Sequence, residues 1–184
     1  TNEQTGGVWT QTSGTGGTFN AVAGTFTPAT GATTSTFSYF LNGTAPCVDD
    51  ESIATITIHP QLNAGTDGNL TICDSSVAVI DLFSLITGED AGGTWTQTSG
   101  TGGTFNAIAG TFTPATGATT STFIYTLIGT APCIDDSSLA TITINSQPVA
   151  GTDGGITICD SNTAVVDLFS LITGEQSGGT WTQT

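Results

Sequence analysis

The sequence predicts an all-β chain of tandem immunoglobulin-like antiparallel β-sandwich repeats, each 86 residues long. Three observations lead to this fold class. The three tryptophans, Trp9, Trp95 and Trp181, follow one another at intervals of 86 residues. Apolar and polar residues alternate with period two in several short runs, as they do in half-buried strands. Turns rich in glycine and threonine separate these runs, a pattern typical of a sandwich with about seven short strands.

The repeat is closely preserved between its copies. Residues 6–91 and residues 92–177 are identical at 67 of 86 positions. This period is too long for one unit of a solenoid, which takes about 20 to 45 residues, but it suits a small domain with its own core. A threonine-rich β-solenoid is therefore the weaker alternative. We expect the chain to be a window on a longer tandem array.

The copies differ most in a short polar segment, which reads HPQLN in one copy and NSQPV in the next. A polar stretch with a proline between two apolar runs indicates a linker. We therefore predict three domains: the C-terminal part of a first repeat (1–63), a complete repeat (64–149) and the N-terminal part of a third (150–184).

The first half of each repeat is predicted to contain three strands and one helical turn. NLTIC and VAVIDL form the first two short strands. DLFSLITG has apolar residues at helical spacing, with Asp81 placed to cap its start and Gly88 to end it, so we expect one turn of helix between two sheets. GGTWTQT forms a third strand, opened by glycines, with Trp95 facing inward.

The second half of each repeat is predicted to contain two hairpins. In GGTFNAIAGTFTP, Phe105 and Phe112 face each other across a turn of small residues. In TFSYFL, Phe37, Tyr39 and Leu41 share one face, and the alternating strand IATITI follows after a CVDDES turn.

The charge composition excludes whole classes of partner. The chain has 15 acidic residues, no lysine or arginine, and a net charge of −15. Nothing can therefore neutralise the phosphates of nucleic acid or attract the chain to an anionic membrane surface. No apolar run approaches the 18 or so residues of a membrane span, so no membrane insertion is expected in this sequence. A surface of neutral, hydroxyl-bearing residues is typical of an extracellular protein.

The side chains available for catalysis are few. His59 is the single histidine, lies in the predicted linker and is replaced by Asn145 in the next copy. Without lysine, arginine or a recurring histidine, only carboxylates are left as acids or bases. The neighbouring carboxylates Asp135 and Asp136 lie in a turn, whereas a glycosidase pair faces across a cleft. We therefore expect no enzyme.

Calcium is the one cofactor that the residues allow, and none is required. Asp67, Asp135 and Asp136 lie near the predicted domain ends and offer the oxygen ligands that hard cations prefer. TDG and DDS are also ordinary turn sequences, and the ligand spacing of an EF-hand loop is absent.

The four cysteines fit an oxidising compartment. With the boundaries given above, Cys73 and Cys133 fall in one domain, and a disulfide between them closes a loop of about 60 residues that stabilises a small core by roughly 4 kcal/mol. The competing arrangement joins Cys47 to Cys73 and Cys133 to Cys159 across the linkers. The predicted bridge is Cys73 with Cys133.

The phrases AGTDGNLTICDSS, DLFSLITGEDAGGTWTQTSGTGGTFN and YTLIGTAPCIDDSSLATITI resemble the tandem repeats of very large cell-surface adhesins of Bacteroidota, the SprB-like gliding-motility adhesins among them. The resemblance covers the whole sequence. It implies export by the type IX secretion system and display as a long surface filament, which in gliding cells a motor carries along the cell. It transfers no catalytic residue.

We therefore expect structural stalk repeats of a large extracellular adhesin, which space a binding tip from the cell. Their partners are further copies of the repeat in the same chain, whereas an extracellular surface or polysaccharide is bound by regions outside this sequence. The alternatives are a surface-layer protein and a carbohydrate-binding module. A carbohydrate-binding module needs exposed aromatic side chains, and we expect Trp9, Trp95 and Trp181 to be buried instead.

Overall fold

The computed structural model describes residues 6–183. The chain is all-β apart from two short 3-10 helices, η1 and η2. Its first five strands are β1 (Val8–Ser13), β2 (Gly17–Asn20), β3 (Thr25–Pro28), β4 (Ser35–Leu41) and β5 (Asp50–Ile56). They are followed by β6 (Gly68–Cys73), β7 (Ile80–Asp81), η1 (Leu82–Ser84), β8 (Thr94–Ser99), β9 (Gly103–Asn106), β10 (Thr111–Pro114), β11 (Ser121–Leu127), β12 (Asp136–Asn145) and η2 (Leu168–Leu171).

The strands form four sheets of two to four strands, an arrangement consistent with a β-sandwich. The sheet orders are β1-β4-β5, β2-β3, β7-β10-β9 and β6-β12-β11-β8. The two predicted hairpin types are present: β4 pairs antiparallel with β5, and β9 pairs antiparallel with β10 so that Phe105 lies opposite Phe112. The bounds of β8, β9, β10 and β11 are those of β1, β2, β3 and β4 shifted by 86 residues.

One strand pairing departs from the predicted antiparallel sandwich. Strand β6 pairs with β12 in parallel, with Gly68 opposite Ala140 and Cys73 opposite Asn145. A parallel pair cannot be made by a hairpin and needs a long crossover connection, which here is most of the repeat. Local turn signals describe only neighbours in sequence, and for that reason they did not predict this pair.

The predicted helical turn is present but shorter than expected. It is η1, and the carboxylate of Asp81 accepts a hydrogen bond from the backbone N–H of Phe83 at its start. The helix ends with Leu85 as its C-cap rather than at Gly88. It joins β7 to β8, which belong to two different sheets. In the predicted strand VAVIDL, only Ile80–Asp81 is strand.

The chain folds into two compact units, and strands β8, β11 and β12 each have residues in both. The predicted domains are continuous in sequence, with boundaries after residues 63 and 149, whereas each unit combines several separate ranges. The predicted boundaries stay a prediction. The first unit comprises the residues up to Thr66 together with Gly88–Thr94 and Tyr125–Ser138. The second comprises Asp67–Thr87, Trp95–Ile124 and the residues from Leu139 onward.

Each unit is packed around aromatic rings. In the first unit, Phe37 lies between Phe19 and Phe26, with ring centroids 5.0 and 5.1 Å apart. In the second unit, Phe123 is fully buried between Phe105 and Phe112 at almost the same distances. Rings at these separations and tilts attract one another in addition to the apolar area that they bury.

Trp95 is buried in the second unit, as predicted, with 4 % of its surface exposed. Its ring meets that of Phe83 edge-on, with centroids 5.5 Å apart. The backbone at Gly110 passes so close that a Cβ there would lie 2.9 Å from the indole nitrogen of Trp95. The prediction of a buried tryptophan is wrong for Trp181, which makes the same edge-on contact with Phe169 but has 49 % of its surface exposed, and Trp9 is only half-buried.

Candidate functional site at the linkers

The most distinctive polar arrangement lies along the two predicted linkers. We call His59–Asp67 the first linker segment and Asn145–Asp153 the second, since they occupy the same repeat positions. Backbone groups in both segments are hydrogen-bonded to residues far away in sequence. Backbone groups outside a sheet ladder need other hydrogen-bond partners. In these segments, several of them bond individually to side chains or backbone groups of the repeats.

Asn63 and Asp90 form a two-way contact in the first unit. The N–H of Asp90 donates to the carbonyl oxygen of Asn63 at 2.7 Å, and the N–H of Asn63 donates to the carboxylate of Asp90 at 2.8 Å. This pair fixes one linker residue through both of its backbone groups.

The second linker segment repeats this contact with different side chains. The N–H of Gln176 donates to the carbonyl oxygen of Val149 at 2.9 Å, and the N–H of Val149 donates to the amide oxygen of Gln176 at 3.2 Å. The exchange of Asp90 for Gln176 between copies therefore keeps an acceptor oxygen in place. Sequence reasoning missed this pair, although the shared oxygen at positions that otherwise differ was a usable signal.

Two further bonds hold the end of the first linker segment. The buried Ala64 donates its N–H to the carboxylate of Asp136 at 2.8 Å, and the hydroxyl of Ser138 donates to the carbonyl oxygen of Gly65 at 2.6 Å. Both partners lie at the start of β12. Hydrogen bonds to a charged group are the stronger kind, so the Asp136 contact is the main anchor here.

The three aspartates predicted as calcium ligands act as acceptors for backbone N–H groups. Asp67 accepts from Leu139 at 2.8 Å, Asp135 accepts from Gly129 at 2.9 Å, and Asp136 accepts from Ala64. Among residues 6–183, no three or more His, Cys, Asp or Glu side chains are grouped so that they could hold a metal ion. Each of the three carboxylates is therefore bonded to a backbone N–H, and for Asp67 and Asp136 that N–H lies 72 residues away in sequence. Calcium binding stays a prediction.

The predicted bridge between Cys73 and Cys133 is not formed. All four cysteines, which lie within the described residues, are free thiols. Cys73 ends β6 opposite Asn145, the last residue of β12, whereas Cys133 precedes the first residue of that strand. A ten-residue strand is about 30 Å long, and a disulfide needs Cα atoms roughly 4.4 to 6.8 Å apart. The parallel register that the sequence did not reveal is what separates the two sulfurs.

The thiol of Cys133 lies against the first linker segment instead. It donates to the carbonyl oxygen of His59 at 3.3 Å. The neighbouring carbonyl oxygen of Ile134 accepts a bond from the side-chain amide of Gln61 at 3.1 Å. The loop before β12 therefore contacts the first residues of this linker.

Neither η1 nor η2, the helices found in residues 6–183, is long and apolar enough to cross a membrane.

Comparison with known proteins assigns the chain to no family. No protein-family model matches the chain, and no curated protein sequence does so either.

Proposed function

We propose that these residues are immunoglobulin-like stalk repeats of a very large extracellular adhesin or surface filament, which hold a binding tip at a distance from the cell. The observation that carries the proposal is the first linker segment, whose backbone is hydrogen-bonded at its first residue, His59, and at three consecutive residues near its end, Asn63, Ala64 and Gly65. A segment held in this way is a spacer of fixed length.

The linker bonds matter because a flexible array is a poor spacer. A chain of freely jointed units grows in reach only as the square root of their number, whereas a stiff array grows in proportion to it. Pro60 in the first linker segment and Pro148 in the second add a fixed backbone angle to each. Bonds at several consecutive residues and a proline both reduce the bending that a five-residue linker would otherwise allow.

The composition supports an extracellular setting, and the resemblance to the surface adhesins of Bacteroidota supplies the biological context. A net charge of −15 on a chain without cations keeps neighbouring filaments apart through mutual repulsion. Export by the type IX secretion system and movement in gliding belong to the same proposal. The binding of a surface or polysaccharide is assigned to regions outside this sequence.

A carbohydrate-binding module is the alternative from another class. Trp181 and Phe169 line a cavity of about 150 Å³ and are half exposed, as a sugar-stacking platform requires. Their counterparts Trp95 and Phe83 make the same ring contact, but Trp95 is buried. Because the same tryptophan–phenylalanine pair packs into the core in the preceding copy, we interpret Trp181 and Phe169 as core residues rather than as a sugar-binding surface. We therefore favour the stalk.

Small-angle scattering on chains of two, four and six copies tests the proposal. We expect the maximum dimension to rise in proportion to the number of copies. The matched control replaces residues 59–63 and their counterparts with Gly-Ser linkers, which should restore the square-root dependence of a flexible chain. If the unaltered chains already follow the square root, the spacer function is wrong. Binding of soluble polysaccharides by the same chains would favour the alternative.

A further inference from the structure

We propose that consecutive copies of the repeat are joined by a disulfide between the strand cysteine of one copy and the loop cysteine of the next. The strand cysteines are Cys73, at the end of β6, and its counterpart Cys159. The loop cysteines are Cys133, in the turn before β12, and its counterpart Cys47. The inference rests on the stalk function only in requiring that one whole copy follows another.

The loop cysteine lies beside the linker that precedes its own copy. The Sγ atom of Cys133 is 3.3 Å from the carbonyl oxygen of His59, the first residue of the first linker segment. The next loop residue, Ile134, binds the side chain of Gln61 in the same segment. These two contacts place the thiol at the beginning of the linker.

The strand cysteine lies beside the linker that follows its own copy. Cys73 is the parallel register partner of Asn145, the first residue of the second linker segment. The N–H of Asp74 donates to the carbonyl oxygen of Asn145 at 2.9 Å. The carboxylate of Asp74 accepts from the N–H of Gln147 at 3.0 Å and lies 3.7 Å from the Sγ atom of Cys73.

The two arrangements meet at one residue. His59 and Asn145 occupy the same repeat position, 86 residues apart, as do Gln61 and Gln147. At a junction with whole copies on both sides, one carbonyl oxygen therefore has the loop thiol about 3.3 Å away and the backbone N–H next to the strand cysteine about 2.9 Å away. This proximity is compatible with the Cα separation of 4.4 to 6.8 Å that a disulfide requires.

The spacing also explains the four free thiols. The two partners are 146 residues apart in sequence, which is the 60 residues from Cys73 to Cys133 plus one period. No strand cysteine in these 184 residues is followed at that distance by a loop cysteine. The pairing differs from both arrangements that the sequence suggested, because it links neither the two cysteines of one repeat nor the two that lie closest across a linker.

Bond formation is an ordinary thiol–disulfide exchange. A small disulfide oxidant, such as oxidised glutathione, is attacked by one cysteine thiolate and releases one reduced thiol. The second cysteine thiolate then displaces the other half of the oxidant. Two protein thiols lose two electrons and two protons in total, and the oxidant disulfide is reduced to two thiols.

The test uses the full chain lengthened at its N-terminus by a copy of residues 64–86 placed directly before Thr1. This addition completes the first repeat and supplies a strand cysteine 146 residues before Cys133. After oxidation with oxidised glutathione at low protein concentration, we expect the monomer to lose two of its five thiols. Peptide mapping without reductant should join the added cysteine to Cys133. The unextended chain should keep all four thiols.

Two variants of the lengthened chain serve as controls. Replacing the added cysteine with serine, and separately Cys133→Ser, should each leave four free thiols after oxidation. The circular dichroism of each variant confirms that it has folded. A bridge from Cys73 to Cys133, a bridge that includes Cys47 or Cys159, or five free thiols in the lengthened chain would overturn the proposal. Because the readout is a covalent bond, it is independent of the scattering that tests the stalk.

Discussion

Replacing Asp136 with alanine tests whether the linker is held by the bond to Ala64. In the native chain the carboxylate of Asp136 accepts from the N–H of Ala64 at 2.8 Å, and Ala64 has no exposed surface. The substitution leaves a buried donor without its charged acceptor, which costs about 1.5 to 3 kcal/mol. At about 1.4 kcal/mol for each factor of ten, local opening at Ala64 becomes roughly 10 to 100 times more frequent.

Native-state hydrogen exchange measures this opening directly. The amide of Ala64 should exchange about 10 to 100 times faster in Asp136→Ala, by the same energy range. Asp136→Asn keeps an acceptor oxygen and should retain most of the protection. Asp50→Ala changes the same repeat position in the first copy, where the aspartate is exposed, and should leave the amide of Ala64 unchanged. Equal exchange rates for Ala64 in the native chain and in Asp136→Ala would refute the reasoning.

Two further predictions concern the core of the second unit and are measured by urea denaturation. Trp95→Ala should lower the free energy of unfolding by about 3 to 5 kcal/mol because the indole is 4 % exposed, whereas Trp181→Ala at the same repeat position, 49 % exposed, should cost roughly half as much or less. Similar losses would show that Trp95 is not a core residue. Gly110→Ala should cost about 2 to 5 kcal/mol, since φ is +64° and the new Cβ would lie 2.6 Å from a ring carbon of Phe83. Gly117→Ala, with φ +75° and open space around it, isolates the backbone part of about 1 to 2 kcal/mol, and an equal cost at both glycines would contradict the packing argument.

The strands and hairpins could be predicted because their signals are local. Alternation placed Phe37, Tyr39 and Leu41 on one face, and the residues at the same positions of the next copy, Phe123, Tyr125 and Leu127, are all buried. The single helical turn was marked by Asp81, whose carboxylate caps it. In each case a few adjacent residues determine the outcome, through period-two burial or a cap.

The parallel pair of β6 and β12 could not be predicted, because the sequence of a strand does not indicate which strand more than 60 residues away will pair with it. The wrong disulfide prediction follows from that omission. Placing Cys73 and Cys133 in one domain was insufficient for a bridge, because the parallel register puts them at opposite ends of a strand. The hydrogen bonds of Asp136 and Asp67 could not be predicted for the same reason, since their partners Ala64 and Leu139 each lie 72 residues away in sequence.

The linker can vary at most of its positions because its bonds to the repeat are made by its backbone, except for the side-chain amide of Gln61, a residue that is kept as Gln147. At the first residue of the linker, His59 or Asn145, the bonded group is the carbonyl oxygen. At the fifth residue, Asn63 or Val149, both the N–H and the carbonyl oxygen are bonded. Any residue leaves those groups in place, except that proline at the fifth residue would remove the N–H, so HPQLN and NSQPV can make equivalent junctions. The constraint falls on the residues that reach in from the repeats, where an oxygen acceptor is kept even as Asp90 becomes Gln176. High sequence difference at 59–63 and 145–149 is therefore compatible with the same junction contacts, provided that each partner residue keeps its acceptor oxygen.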